Sequence, residues 1–212
     1  MSQAVLQLEE QPLTQFSSSK VVLRLPAGFE LSDDEFFEIC QANHELRMER
    51  TAKGEIIVMP PTGWETGDRN SEINMQFRQW AKREGSGVAT ESSTGFKLPN
   101  GADRSPDAAW VRRGRLAQLT AEQKRKFLPL CPDFVVELLS PTDKLEDGKA
   151  KMEEYLANGA QLGWLIDPDE RRVYVYRPNT PVEMLENPES VSGDPELPGF
   201  VLQLTEIWQP NL

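Results

Sequence analysis

The chain has 212 residues, a formal net charge of −11, 38% hydrophobic residues and 27% charged residues. That length and composition suit one globular domain and exclude a disordered chain. The single histidine, His44, excludes sites with two histidine ligands, and Cys40 and Cys131 lie too far apart for a CxxC motif. We expect both thiols to stay reduced and partly buried in a reducing compartment.

The N-terminal region has neither a basic start nor an apolar run, so we expect no signal peptide. No stretch approaches the roughly 18 apolar residues that cross a bilayer. These features predict a cytoplasmic protein with no membrane partner. We assign residues 1–25 to an N-terminal tail, loosely packed or mobile over 1–20, and residues 26–212 to one domain.

The first part of the domain predicts a helix, a hairpin and a second helix. Ser32 and Glu35 form a capping box that opens a helix over 32–43. Two alternating segments over 45–60, joined by a turn at 53–55, predict a β-hairpin. Residues 68–84 place their large apolar side chains on one helical face, and the glycines that follow end that helix.

The rest of the chain predicts strands alternating with helices. Predicted strands lie at 88–101 (with a polar turn), 106–112, 132–141, 162–168 and 173–177, and predicted helices lie near 120–128 and at 144–158, the latter ended by Gly159. This order predicts an α/β or α+β fold in which a mixed β-sheet is flanked by helices within a single domain.

Charge is unevenly distributed along the chain. Residues 111–126 carry six Lys or Arg and one Glu, whereas residues 178–212 carry six acids and no Lys or Arg. An acidic chain repels nucleic acid overall, because phosphate contacts come from Lys and Arg. The basic segment is therefore either a solvated loop and helix or a rim that faces phosphate.

Glu137 is the most informative residue, because it interrupts the apolar segment FVVELLS. Glutamate is rarely buried unless it is paired or bound to a metal. Asp107 begins another short strand. If the two strands are neighbours, both carboxylates can converge on one Mg²⁺. The alternative is that Glu137 pairs with an arginine or caps a backbone group.

Three longer motifs, SPDAAWV, PDFVVELLSPTD and KMEEYLANGAQLGWLIDP, resemble the Uma-type putative restriction endonuclease family. That family is a branch of the PD-(D/E)xK nuclease superfamily. The resemblance extends through LRMERTAKGEIIVMPPTG, STGFKLPNG, LPGF and LTEIW, and so covers nearly all of residues 30–210. It implies a restriction endonuclease-like core, Mg²⁺ as cofactor with Mn²⁺ as the alternative, and hydrolysis of phosphodiester bonds in DNA.

In that superfamily two carboxylates hold Mg²⁺, and a lysine two residues after the second acid positions the attacking water. The resemblance implies Asp107 and Glu137 as the carboxylates, but Leu139 stands where the lysine is expected. The family's K-x-x-x-Y pattern points to Lys151, four residues before Tyr155, as the migrated lysine. Lys149 is its rival. Alternatively, both are surface lysines and the enzyme is inactive.

The resemblance also implies Glu49 as an upstream acid that adds a metal ligand or supports one. The alternative is an exposed strand carboxylate that faces a neighbouring arginine. Asn70 and Glu72 on the 68–84 helix are further candidates for the same role. We expect the tryptophans to lie in the core rather than to stack on bases.

Two hypotheses follow. One is a Mg²⁺-dependent DNA endonuclease centred on Asp107, Glu137 and Lys151. The other is a catalytically inactive nuclease fold that acts as a binding or regulatory module, which Leu139 and the acidic charge favour. A homodimer would suit double-strand cleavage, and we predict the segment VYVYR, 173–177, as an edge strand that could pair between subunits.

Overall fold

The computed structural model describes residues 20–210, so most of the predicted tail lies outside the described residues. Within that range the chain forms five α-helices, which are α1 (Asp33–Ala42), α2 (Trp64–Glu84), α3 (Arg113–Leu116), α4 (Leu145–Ala157) and α5 (Thr205–Trp208). None of the helices between residues 20 and 210 combines the length and the apolarity that a bilayer crossing requires.

The same part of the chain forms two sheets and a separate hairpin. The strands are β1 (Val21–Leu23), β2 (Arg47–Arg50), β3 (Ile56–Met59), β4 (Gly87–Glu91), β5 (Phe96–Lys97), β6 (Asp103–Arg104), β7 (Ala108–Arg112), β8 (Phe134–Leu138), β9 (Leu162–Asp167), β10 (Arg172–Tyr176), β11 (Glu183–Glu186), β12 (Ser190–Ser192) and β13 (Val201–Gln203). The first sheet has the order β1-β3-β2-β6-β5, the second has the order β11-β10-β9-β8-β7-β4, and β12 pairs with β13.

The first sheet is antiparallel and contains the predicted hairpin. β2 pairs with β3 over Arg47↔Met59 to Arg50↔Ile56, which confirms the hairpin over 45–60. β1 adds to the other side of β3, so residues 21–23 join this sheet although they fall within the predicted tail. The division of the chain at residue 25 stays a prediction.

The second sheet is mixed, because β8 and β9 run parallel while its other pairs are antiparallel. A parallel pair needs a crossover connection, and α4 supplies it. The result is a mixed sheet flanked by helices in one domain, so the predicted fold class is confirmed.

Side chains of β8 alternate between two cores, as the pleat of a strand requires. Phe134 packs edge-on against Phe77 of α2, with ring centroids 5.2 Å apart. Val135 points the other way and joins the cluster that contains Tyr155 of α4. Glu137 lies two residues after Val135, so the pleat directs its side chain toward α4 as well.

Three sequence predictions are corrected. The segment VYVYR is not at an edge, because β10 pairs with both β9 and β11. The predicted helix near 120–128 is only a 3-10 turn at Gln123–Arg125, since Leu128 exchanges backbone hydrogen bonds with Gly95 and Lys97 instead. The predicted 68–84 helix begins earlier, at Trp64, after an N-cap glycine.

Four of the five tryptophans lie in the core, at most 8% exposed, as predicted. Trp64 is the exception, with 81% of its surface exposed. The cysteines also behave as predicted, since Cys131 is buried, Cys40 is half-buried and neither forms a disulfide.

Candidate active site

A cavity of about 440 Å³ lies where the two sheets, the start of α2 and the first turns of α4 meet, and we call it the site cavity. Its lining includes Arg47 of β2, Asn70 of α2, Asp107 just before β7, Glu137 of β8 and Lys151 of α4. Three residues predicted for the reaction, Asp107, Glu137 and Lys151, therefore share one cavity.

Asp107 and Glu137 lie on neighbouring strands, which is the condition that the sequence argument set for their convergence. The antiparallel register of β7 and β8 begins with Ala108 opposite Val136. One residue before that pair, the same register places Asp107 opposite Glu137. Side chains directly opposite in such a pair share one face, with Cβ atoms about 5 Å apart. The backbone N–H of Leu138 donates to Asp107 Oδ2 at 2.9 Å, which fixes that carboxylate beside β8.

Glu137 is 9% exposed and has two donors on one oxygen. Tyr155 Oη donates to Glu137 Oε1 at 2.9 Å, and Lys151 Nζ lies 2.9 Å from the same atom. Burial raises the pKa of Glu137 to about 7, the negative charges of Asp107 and Glu49 act in the same direction, and the ammonium of Lys151 opposes them. The carboxyl thus changes charge near neutral pH.

Lys151 lies between two carboxylates. Its Nζ is 2.9 Å from Glu49 Oε1 and 2.9 Å from Glu137 Oε1. Burial alone would lower the pKa of Lys151, but these carboxylates outweigh it and raise that pKa, so the side chain is an ammonium at neutral pH.

The rival lysine is not at the site. Lys149 Nζ pairs with the exposed Glu146 at 3.0 Å, lies 5.6 Å from the ring centroid of Tyr174 in β10, and does not line the site cavity. Residues two apart differ by about 200° around a helix, so only one of Lys149 and Lys151 can face β8. The structure brings Lys151 to the carboxylates.

Glu49 is buried rather than exposed, and both of its oxygens have protein partners. Oε1 accepts from the Ser105 backbone N–H at 2.9 Å as well as from Lys151, and Oε2 lies 3.2 Å from Arg104 Nη1. Burial would raise the pKa of Glu49, but the cations of Lys151 and Arg104 lower it to about 2. These contacts describe a carboxylate that holds Lys151 in place, and its predicted role as a metal ligand stays a prediction.

The donors around the cavity fit a hard cation such as Mg²⁺. Between residues 20 and 210 no group of three His, Cys, Asp or Glu side chains could hold a metal alone. Mg²⁺ does not need one, because it binds through one or two carboxylates and keeps waters and substrate phosphates as its other ligands. Asn70 Oδ1, in the cavity wall, is a buried acceptor with no hydrogen-bond partner, so a further oxygen acceptor is available there. Glu72 does not line the cavity and instead accepts from Gln76.

Sequence reasoning missed several groups at the site. Arg47 approaches Asp107 Oδ1 at 3.4 Å, and it shares a strand face with Glu49, which period-2 alternation could have indicated. Arg104 binds both Glu49 and Glu154, the latter at 2.6 Å, and no local pattern signals that link. Trp64 also lines the cavity, and no sequence signal distinguishes it from the four core tryptophans.

The fold and site together define a restriction endonuclease-like domain with two carboxylates and a lysine at its centre. A crystal structure titled as a putative nuclease belonging to DUF820, from Anabaena variabilis ATCC 29413, superposes with a TM-score of 0.70 at 22% identity, covering 84% of this chain and 97% of that chain. At that identity the likeness shows a shared fold. No curated protein matches this chain. The chain belongs to the Uma2 family, described as "Putative restriction endonuclease", whose model matches residues 33–205. The resemblance predicted from the motifs is confirmed.

Proposed function

We propose that this chain is a Mg²⁺-dependent endonuclease that hydrolyses phosphodiester bonds in DNA, with Mn²⁺ as an alternative cofactor. One observation carries the proposal: Asp107, Glu137 and Lys151 line one cavity, with the ammonium 2.9 Å from the Glu137 carboxylate. Membership in a family described as a putative restriction endonuclease supports the nuclease class.

In the proposed reaction Asp107 and Glu137 would hold the cation, and the unpartnered Asn70 Oδ1 would be available as a further oxygen ligand. Bound Mg²⁺ supplies a Lewis acid for the scissile phosphate and lowers the pKa of a water molecule. Lys151 orients the attacking water and stabilises the negative charge that develops on the phosphate. Glu49 keeps Lys151 in position, and Tyr155 orients Glu137 through its 2.9 Å hydrogen bond.

In this proposal Lys151 takes the role of the strand lysine that the superfamily has two residues after the second acid, where this chain has Leu139. Glu137 points toward α4, and Lys151 lies on the α4 face that meets it. A lysine on α4 can therefore contact the Glu137 carboxylate, as a lysine on β8 would. The ammonium belongs to a helix instead of the strand, but it contacts the second acid directly.

The proposal is tested by nicking of supercoiled plasmid and of a branched DNA at low salt, with Mg²⁺ or Mn²⁺. We expect nicking that EDTA abolishes and that falls about 10²- to 10³-fold in Glu137→Gln and in Lys151→Met, the loss typical of a removed transition-state contact. Lys149→Met is the matched control, since its partner is outside the cavity, and it should cut like the wild type.

Metal-dependent nicking that survives Glu137→Gln would overturn the assignment of the second acid. Calorimetry with Mg²⁺ or Mn²⁺ alone separates the remaining cases. A folded wild-type protein that neither binds these ions nor nicks DNA would overturn the enzyme proposal and favour a catalytically inactive binding or regulatory module. Cytoplasmic location and a homodimer remain predictions. With β10 internal, the edges of its sheet among the described residues are β11 and β4.

A further inference from the structure

Trp64 differs from every other tryptophan of the chain. It is 81% exposed, whereas the other four are at most 8% exposed. A single exposed apolar side chain is ordinary on a protein surface, so exposure alone assigns it no role. Its position matters more: Trp64 lines the site cavity together with Asp107, Glu137 and Lys151.

The backbone around Trp64 is stiff. Trp64 is the first residue of α2, a helix of 21 residues, and Pro60 and Pro61 precede it in the lining of the same cavity. Proline fixes φ near −65°, and the helix fixes the backbone that follows. The indole is therefore presented on a segment with little conformational freedom to lose when a ligand packs against it.

The side chains that line this cavity do not by themselves give it a net positive charge for nucleic acid. Five of its described lining side chains are carboxylates and three are cationic, and the whole chain carries −11. Proteins that bind duplex DNA gain much of their affinity from contacts between Lys or Arg side chains and the phosphates. Stacking of a base on an aromatic ring needs no such charge and tolerates any base, because every base has a π-face.

We propose that Trp64 is a stacking platform for an unpaired nucleobase beside the reacting phosphate, and that the substrate of this site is single-stranded or locally unpaired DNA. This inference rests on the proposed nuclease function and specifies its substrate class. In a paired duplex each base is stacked on both faces, so its face is not open to an indole.

The helix joins Trp64 to the reacting residues. Asn74 Nδ2 donates to the backbone oxygen of Asp107 at 3.0 Å, which ties this turn of α2 to the reacting residues. Trp64 lies ten residues earlier on the same helix and lines the same cavity as Asp107. A base on the indole and the reacting phosphate would therefore belong to one short stretch of strand.

The test measures binding with Ca²⁺, a hard cation with oxygen ligands, in place of Mg²⁺. Fluorescence anisotropy follows a labelled single-stranded oligothymidylate of about a dozen nucleotides and a duplex of the same length, on the full chain. We expect the single strand to bind more tightly than the duplex, Trp64→Ala to weaken it roughly five- to 150-fold, and Trp64→Phe to retain most of the affinity.

Two further readouts separate stacking from a general structural effect. Phe29→Ala removes another exposed aromatic ring, 56% exposed and outside the site cavity, and should leave binding unchanged. Because Trp64 is the exposed tryptophan, the oligonucleotide should protect wild-type fluorescence from acrylamide, and this protection should vanish in Trp64→Ala. The melting temperature of Trp64→Ala should match the wild type, since the side chain is solvated.

Equal single-strand affinity in Trp64→Ala and the wild type would overturn the inference, as would a wild type that prefers the duplex. Cleavage with Mg²⁺ combined with unchanged affinity in Trp64→Ala would refute stacking and leave the nuclease proposal intact. Binding that depends on Trp64 without cleavage under Mg²⁺ or Mn²⁺ would support stacking and refute the nuclease proposal.

Discussion

Replacing Lys151 with methionine removes an ammonium from between two buried carboxylates while keeping an unbranched side chain. Lys151 Nζ is 2.9 Å from both Glu49 Oε1 and Glu137 Oε1, so the substitution leaves two acids without their shared partner. Removing one member of a buried ion pair costs about 3–5 kcal/mol. Glu137, whose pKa is already about 7, can take up a proton and relieve one charge. We therefore expect the lower end, about 3 kcal/mol, in the free energy of unfolding.

The assay is thermal unfolding followed by circular dichroism at pH 7 in EDTA. For a domain of this size each kcal/mol lowers Tm by about 2–4 °C, so Lys151→Met should lose about 6–12 °C. Lys149→Met is the matched control, two residues away on the same helix. Its partner Glu146 is largely exposed, so its loss should stay below about 1 kcal/mol.

A double substitution tests the cause of the loss. In Lys151→Met, Glu137 must be either charged without a counter-ion or protonated at a free-energy cost, and adding Glu137→Gln removes both penalties. The double variant should therefore be more stable than Lys151→Met alone. Equal losses in the two lysine variants, or a further loss on adding Glu137→Gln, would refute the view that Lys151 is held as a buried counter-ion.

Two other predictions follow from the same structure. The cationic neighbours of Glu49 lower its pKa to about 2 in the folded state, so its stabilising effect should be full above pH 4.5 and lost as the pH falls toward 2. In urea titrations, the difference in unfolding free energy between wild type and Glu49→Gln should therefore shrink over that range. A difference that grows on acidification would contradict this prediction. A Cβ at Gly87 would lie 2.1 Å from the Trp110 ring, so Gly87→Ala should lower stability by about 1–3 kcal/mol, whereas Gly114→Ala, with open space around it, should be no less stable than wild type in the same melts.

The sequence identified residues that meet at one cavity, because two of its signals are local. An acid inside an apolar strand identified Glu137, and the position of Asp107 at the start of a neighbouring strand identified its partner. Lys151 came from a family resemblance, since helical spacing alone does not choose between two lysines. Its selection depends on how α4 packs across β8, which is a tertiary contact.

Other features depend on the assembled fold and have no local signal. The placement of β10 inside the sheet depends on β11, whose sequence EMLE has two exposed acids and little strand character. The Ser105 backbone N–H that binds Glu49 lies in a segment without regular structure. Trp64 has the same chemistry as the core tryptophans, and only the packing of the chain decides which indole meets solvent.

The site draws its parts from distant stretches of chain, and Glu49 and Lys151 are 102 residues apart. During synthesis the N-terminal elements leave the ribosome first, so Glu49, Asp107 and Glu137 are made before the lysine that completes the set. A translation product that stops short of α4 carries the acids without the ammonium. A partial chain of this kind has no complete site, so the final arrangement of Glu49, Glu137 and Lys151 forms only after α4 has been made.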